Sequence, residues 1–337
     1  MPARVHQCAT SSDQPLENRR VAVLGYGSQG RAHALNLRDT GCDLVVGTRK
    51  DSPSEAAATQ DGLMVATLGE ATASADVVSL LVPDQHQPTV YRESVEPHLR
   101  AGSTLVFAHG FNIHFSQIAP ARDIDVVLVA PKAPGPLVRR SFVDGKGVPA
   151  LAAVHQDHSG HAWSSAIQYA QAIGCMRVGV IETTFAEETE TDLFGEQAVL
   201  CGGVSRLVQL GFETLVENGY QPEVAYFECL HELKLIVDLL YEGGFSHMRN
   251  AVSDTAEFGD LTRGKQVIGQ GVKEAMENVL ADIVDGTFAR DWVLEGRCGF
   301  PVLESGRRAQ QSLAIETVGA QLRQMMPWTQ GSREPVR

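Results

Sequence analysis

At 337 residues the chain is too long for one ordinary core, so two domains are expected, and its 43% hydrophobic and 20% charged content is that of a water-soluble globular protein. The net charge of −13 argues against a nucleic-acid surface, which needs clustered Lys and Arg. No run approaches the roughly 20 apolar residues of a membrane span, and six cysteines without a C-x-x-C pair point to reduced thiols in a cytoplasm.

Met1 to Arg20 has no apolar signal-peptide core and reads as a short, partly disordered leader. From Arg20 to about Thr183, β-branched runs alternate with amphipathic stretches. The runs are Val21–Leu24, Leu44–Val46, Val77–Val82, Thr104–Phe107, Val126–Ala130 and Val178–Ile181. They lack polar alternation, as strands buried on both faces should, and predict an α/β Rossmann-like domain with a mostly parallel sheet over 1–183. After Thr184 strand-like runs nearly vanish. Apolar spacing of 3.6 residues over Thr189–Asn218, Pro222–Tyr241 and Lys265–Asp285 predicts an all-helical domain over 184–328, broken at Gly219 and Gly243-Gly244. Residues 329–337 read as a flexible polar tail.

Val21–Leu24 runs directly into Gly25-Tyr26-Gly27-Ser28-Gln29-Gly30, a G-x-G-x-x-G between a strand and a helix. Gly25 allows the tight turn, Gly27 lets backbone approach a pyrophosphate, and Gly30 lets helix and strand pack closely. The second strand is followed by Thr48-Arg49-Lys50-Asp51-Ser52-Pro53-Ser54, where an NAD enzyme usually carries an acid. Arg49, Lys50, Ser52 and Ser54 suit a 2′-phosphate and favour NADP(H), whereas Asp51 pointing inward would repel one. The third run closes on Val82-Pro83-Asp84-Gln85-His86, at an edge where cofactors lie, though an ordinary turn explains it equally well. His109 and Lys132 each follow a buried strand. His109 is placed to relay protons or bond a nicotinamide ribose, and Lys132 to stabilise an oxyanion or metal-bound water; both also read as solvated loop residues.

In the helical half, Asp192 and Glu196 are four residues apart, as are Glu228 and Glu232, and both pairs sit among apolar neighbours. Four converging acids would repel one another, and a hard divalent cation such as Mg2+ is the simple remedy. Taken alone, each acid reads equally well as a solvated helix residue.

Longer motifs carry a resemblance. GYGSQG at 25–30, FAHGF at 107–111, APKAPG at 130–135, ETETDLFGEQAVLCGG at 188–203, AYFECLHELKLIVDL at 225–239, SDTAEFG at 253–259 and MMPW at 325–328 resemble the ketol-acid reductoisomerase family in its short, class I form. The resemblance covers roughly residues 20–328. It implies Mg2+-dependent alkyl migration of 2-acetolactate or 2-aceto-2-hydroxybutyrate, then NADPH reduction to the 2,3-dihydroxy acid of valine and isoleucine biosynthesis. It implies that Asp192 bridges two Mg2+ ions, with Glu196 on one and Glu228 and Glu232 near the other. His109, Lys132 and Glu232 would be catalytic, and Ser253 would hold the substrate carboxylate. Tyr26 to Gln29, Arg49, Ser52, Ser54, Asp84, Gln85, His86, Gln87 and Gly135 match NADP-contacting positions. A knotted helical domain that forms a homodimer or larger homo-oligomer is implied as well. The sequence departs from the family pattern at Arg31, at Lys50-Asp51, at Ala251, at Phe258 and over Gln311–Ile315. A metal-free β-hydroxyacid dehydrogenase and a non-catalytic NADP sensor are the rival readings, and neither calls for four acids on paired helices.

Overall fold

The computed structural model describes residues 3–7 and 16–326. They fall into two compact units, the first ending at Thr189 and the second beginning at Glu190. The expected tail over 329–337 and the Pro-Trp end of the MMPW motif lie outside the described residues.

Among the described residues, the first unit is built on a nine-stranded sheet. In chain order its strands are β1 (Val5–His6), β2 (Val21–Leu24), β3 (Leu44–Thr48), β4 (Val65–Thr67) and β5 (Val77–Leu80). They continue with β6 (Thr104–Phe107), β7 (Asp125–Pro131), β8 (Ala150–Gln156) and β9 (Val180–Glu182). The spatial order is β1-β9-β8-β7-β6-β5-β2-β3-β4. Among the described residues, only the β7–β8 and β1–β9 pairs are antiparallel. Every residue of β2 and β5 is buried, as strands covered on both faces require. Val21 and Val23 pack into one apolar cluster while Ala22 and Leu24 pack into another. Period-two alternation thus feeds a core on each face, and each fully buried Val or Leu contributes about 1.5–3 kcal/mol.

All six expected strands form, and three others join them. The supposed leader supplies β1, with Val5 opposite Ile181. β8 is rich in alanine, a residue poor in strand propensity, and it forms because β7 offers a paired edge. β4 is only three residues long.

The topology decides where a ligand goes. From β2 the chain builds outward through β3 and β4 on one side, then returns to lay down β5, β6 and β7 on the other. The reversal between β2 and β5 opens a crevice at the carboxyl ends of the strands. A cavity of about 440 Å³ lined by Arg19, Asp76, Arg100, Asp125 and Ser159 lies at the opposite, amino ends, away from the sequence motifs.

The second unit is helical. Its core is formed by Val208, Phe212, Ala225, Tyr226, Ile315 and Leu322. Gly219, at φ 86°, follows the Gly202–Glu217 helix as expected. Gly244, at φ 75° and ψ −173°, likewise breaks the helical path within Glu232–Ala251 into two helices across a kink, as expected. The helical spacing over Lys265–Asp285 falls mainly on the helix Gln270–Val284, which is parted at Ile268-Gly269 from the preceding helix Asp254–Val267. The helical stretch Phe185–Glu217 is long and apolar enough to cross a membrane by length and composition, yet Glu187, Glu188, Glu190, Asp192, Glu196 and Arg206 interrupt it, so it holds no apolar run of about 20 residues. Its Val208 and Phe212 pack in the core of the unit.

Candidate active site

The strand ends carry the motifs. β2 stops at Gly25, whose φ of 98° and distance of 2.9 Å from a would-be Cβ to Val82 leave room only for glycine. A Cβ on Gly30 would lie 2.2 Å from the Gly25 carbonyl oxygen. On Gly27 a Cβ would meet nothing within 4 Å, so the second glycine opens onto empty space while the first and third are closed by packing. The helix Ser28–Asp39 starts there with no side-chain cap and no acid in its first turn. Its unpaired amides and positive dipole end are left for an anion, as pyrophosphate binding requires. Gln29 Nε2 donates to the Ala133 carbonyl at 2.9 Å, and a Cβ on Gly135 would sit 2.0 Å from the Ser28 carbonyl. The 132–135 loop is therefore clamped onto the phosphate turn.

Around that turn, Arg31 does not extend a free cation. Its Nε donates to Asp61 Oδ2 at 2.8 Å, and Tyr26 Oη donates to the same oxygen at 2.7 Å. The Arg31 guanidinium, with the Tyr26 bond, holds the Asp61 carboxyl below its usual range. After β3, Arg49 and Lys50 are exposed, and Ser52 Oγ caps the helix Pro53–Gln60 by accepting from Glu55 N at 3.2 Å. Gln87 is buried and donates to the Val82 carbonyl and to Asp84, while Asn112 Nδ2 donates to Gln87 Oε1 and the Asp84 carbonyl, each at 3.0 Å. Asp84 and Gln87 thus tie the loop after β5 to the loop after β6.

His109 and Lys132 meet on one residue. Glu188, on the Phe185–Phe194 helix, is 1% exposed. Lys132 Nζ donates to its Oε1 at 2.9 Å, Gly110 N donates to Oε2 at 2.9 Å, and His109 Nδ1 lies 3.2 Å from Oε2. Burial pushes the Glu188 carboxyl up, yet the bonds and charges of His109 and Lys132 outweigh it and leave the group below the usual glutamate range. The ionised carboxylate only accepts, so His109 carries its proton on Nδ1 and turns Nε2 to the opposite side of the ring. A Cβ on Gly110 would lie 2.3 Å from Thr189 Oγ1, so the glycine lets the loop press onto this helix.

The paired acids share a backbone feature. Past Asp192 the helix loosens into a π-turn over Gly195–Leu200, where Cys201 N bonds the Glu196 carbonyl at 3.0 Å. A second π-turn over Phe227–His231 holds Glu228 and leads into Glu232. Single π-turns recur at functional sites, and both pack against the Gly202–Glu217 helix. Asp192 is half-buried and Glu196, Glu228 and Glu232 are exposed. An all-carboxylate donor set suits a hard cation of the magnesium kind. Ser253 caps Asp254–Val267, accepting from Ala256 N at 3.2 Å.

Comparison with known proteins decides the family. Residues 15–179 match the acetohydroxy acid isomeroreductase NADPH-binding domain, and residues 185–328 match the ketol-acid reductoisomerase C-terminal domain. A solved NADH-preferring ketol-acid reductoisomerase from an uncultured archaean is 44% identical, with a TM-score of 0.93 over 95% of this chain and 98% of that one. The chain belongs to the ketol-acid reductoisomerase family. It is an oxidoreductase with a nicotinamide-binding domain, and the family implies Mg2+ and branched-chain amino-acid biosynthesis. A putative oxidoreductase from Jannaschia sp. CCS1, 16% identical with a TM-score of 0.59, covers 79% of this chain and 97% of its own, and shares the fold alone.

Sequence reasoning passed over Glu188, Asn112 and Asp61. Glu188 stood in the quoted ETETDLFGEQ run four residues before Asp192, and that helical spacing was the available signal. Asn112 and Asp61 act through contacts of 25 and 30 residues' separation or more, which no local pattern announces.

Proposed function

We propose that the chain converts 2-acetolactate or 2-aceto-2-hydroxybutyrate into the 2,3-dihydroxy acid, by an alkyl shift followed by hydride transfer from NADPH. The observation that carries this reading is the buried Glu188 carboxylate joining His109 and Lys132 beside an uncapped phosphate helix. Gly25 to Gly30 and Gly135 would cradle the pyrophosphate. Arg49, Ser52 and Ser54 would take the 2′-phosphate, and Asp84, Gln85, His86 and Gln87 would line the rest of the dinucleotide. Lys132, anchored by Glu188, presents its ammonium to a developing oxyanion, and His109 holds a proton on a fixed ring nitrogen. Asp192, Glu196, Glu228 and Glu232 would hold two Mg2+ ions, which when bound polarise a carbonyl and favour an alkoxide. Ser253 would receive the substrate carboxylate. The nucleotide domain would end near 183 and the helical metal and substrate domain span 184–328.

Turnover of 2-acetolactate is to be followed at 340 nm with NADPH and with NADH, with and without Mg2+; oxidation that survives full chelation would refute the two-metal reading. The second unit also exposes large apolar side chains, among them Leu200, Leu235, Tyr241, Phe245, Phe258 and Val302. These side chains support a homo-oligomer joined through the helical domain, and the biosynthetic family supports a cytoplasmic location. Sedimentation should show a dimer or larger.

A further inference from the structure

The loop after β3 contains an acid that the phosphate-binding reading does not use. Asp51 adopts a left-handed backbone at φ 56°, and its N–H donates to Glu55 Oε2 at 2.5 Å. Glu55 N in turn donates to Ser52 Oγ at 3.2 Å. The two bonds close a ring in which the Glu55 carboxylate sits at the amino end of the Pro53–Gln60 helix, where backbone donors and the helix dipole favour an anion.

In a sheet of this topology the strand next to the phosphate turn ends beside the adenosine ribose. A ribose bearing a 2′-phosphate needs that same anion position, whereas a plain ribose with two hydroxyls does not. Here the Asp51 amide is already spent on Glu55, and the carboxylate repels an arriving dianion. Arg49 and Lys50 offset this only from solvent, where both are exposed. The seven residues from Arg49 to Glu55 therefore hold two cations against two acids, with one acid held at the helix end.

We infer that Glu55 is a specificity-determining residue: an internal anion that competes with the cofactor's 2′-phosphate and narrows the margin between NADPH and NADH. This rests on the proposal that the first unit binds a nicotinamide dinucleotide at the Gly25–Gly30 turn. The competition requires no movement of the sheet. A 2′-phosphate enters when the Glu55 side chain swings away and returns the Asp51 amide, and a 2′-hydroxyl enters with the ring closed.

The test is direct binding, measured by calorimetry with NADP+ and NAD+ on the full chain, on Glu55→Gln and on Asp51→Asn. Glu55→Gln keeps an acceptor for the Asp51 amide and removes the charge, so the helix stays capped and a thermal melt should be unchanged. NADP+ is expected to bind about tenfold more tightly to Glu55→Gln, as the loss of one close like-charge contact implies, while NAD+ changes less than twofold. Asp51→Asn removes an equal charge from an exposed side chain and should move the ratio clearly less. A ratio of the two affinities in Glu55→Gln within twofold of the parent overturns the inference, as does an Asp51→Asn shift as large as that of Glu55→Gln, which would make net loop charge the determinant. Failure of the parent chain to bind either dinucleotide overturns the cofactor reading as well, whereas binding of both with an unmoved ratio overturns this inference alone.

Discussion

Replacing Glu188 by Gln puts the centre of the nucleotide-domain site under the clearest strain. The carboxylate receives three donors: Lys132 Nζ on one oxygen, Gly110 N and the His109 imidazole on the other. Glutamine has one acceptor oxygen and one amide nitrogen that only donates, so whichever way it turns, a donor faces a donor. The cheaper orientation keeps the oxygen toward Gly110 and releases Lys132, whose side chain is 31% exposed and can reach water. One charge-assisted bond at a buried acceptor is then lost, costing about 3 kcal/mol. For a unit of this size that lowers the thermal midpoint by roughly 6–12 °C. The sign of the pH effect follows from Glu188 lying below the ordinary glutamate range: its contribution is present above the pH at which an unfolded glutamate titrates, and is lost as pH falls through the folded value. Glu188→Gln should therefore flatten the acid limb of the stability curve as well as lower its plateau. Turnover of 2-acetolactate should fall by about a hundredfold or more, because Lys132 and His109 lose their shared anchor. Scanning calorimetry between pH 4 and 8, with turnover at pH 7.5, reads both effects. A variant that melts with the parent and keeps more than half its turnover would refute the reasoning.

Two further outcomes follow from the first unit. Burial with no partner on Nε2 pushes the fully buried His33 down to about 4. As this histidine must stay neutral in the fold, stability should decline below pH 6.5 and level off near pH 4, a loss of roughly 3 kcal/mol that His33→Leu abolishes in urea titrations at pH 7.5 and 4.5. Gly135→Ala would place a methyl 2.0 Å from the Ser28 carbonyl oxygen and force the 132–135 loop off the phosphate turn. NADP+ and NAD+ affinity should both fall at least tenfold in calorimetry, and unchanged affinity would show that this loop does not shape the cradle.

Local pattern was enough for the parts of the protein whose physics is local. Six strands were readable from their continuous apolar runs, five of them largely buried on both faces and β9 only in part, and the Gly25–Gly30 turn because packing admits only glycine at its first and last positions. The acid pairs were visible as spacing, though the π-turns under Glu196 and Glu228 were not, since a bulge in the bonding ladder leaves no mark in composition. What the tertiary structure alone decided is long-range pairing. β1 is a strand because β9 offers an edge 175 residues later, with His6 opposite Val180 and Val5 opposite Ile181. Glu188 became the anchor of His109 and Lys132 because residues 79 and 56 positions away meet it in the fold. Asp51 stood out in the sequence as a charge set against a phosphate, and only the fold shows that its amide also clasps Glu55, a second acid at the helix end that no local pattern singled out. Apolar period and turn chemistry are written residue by residue; which buried donor meets which carboxylate depends on the packing of the whole sheet.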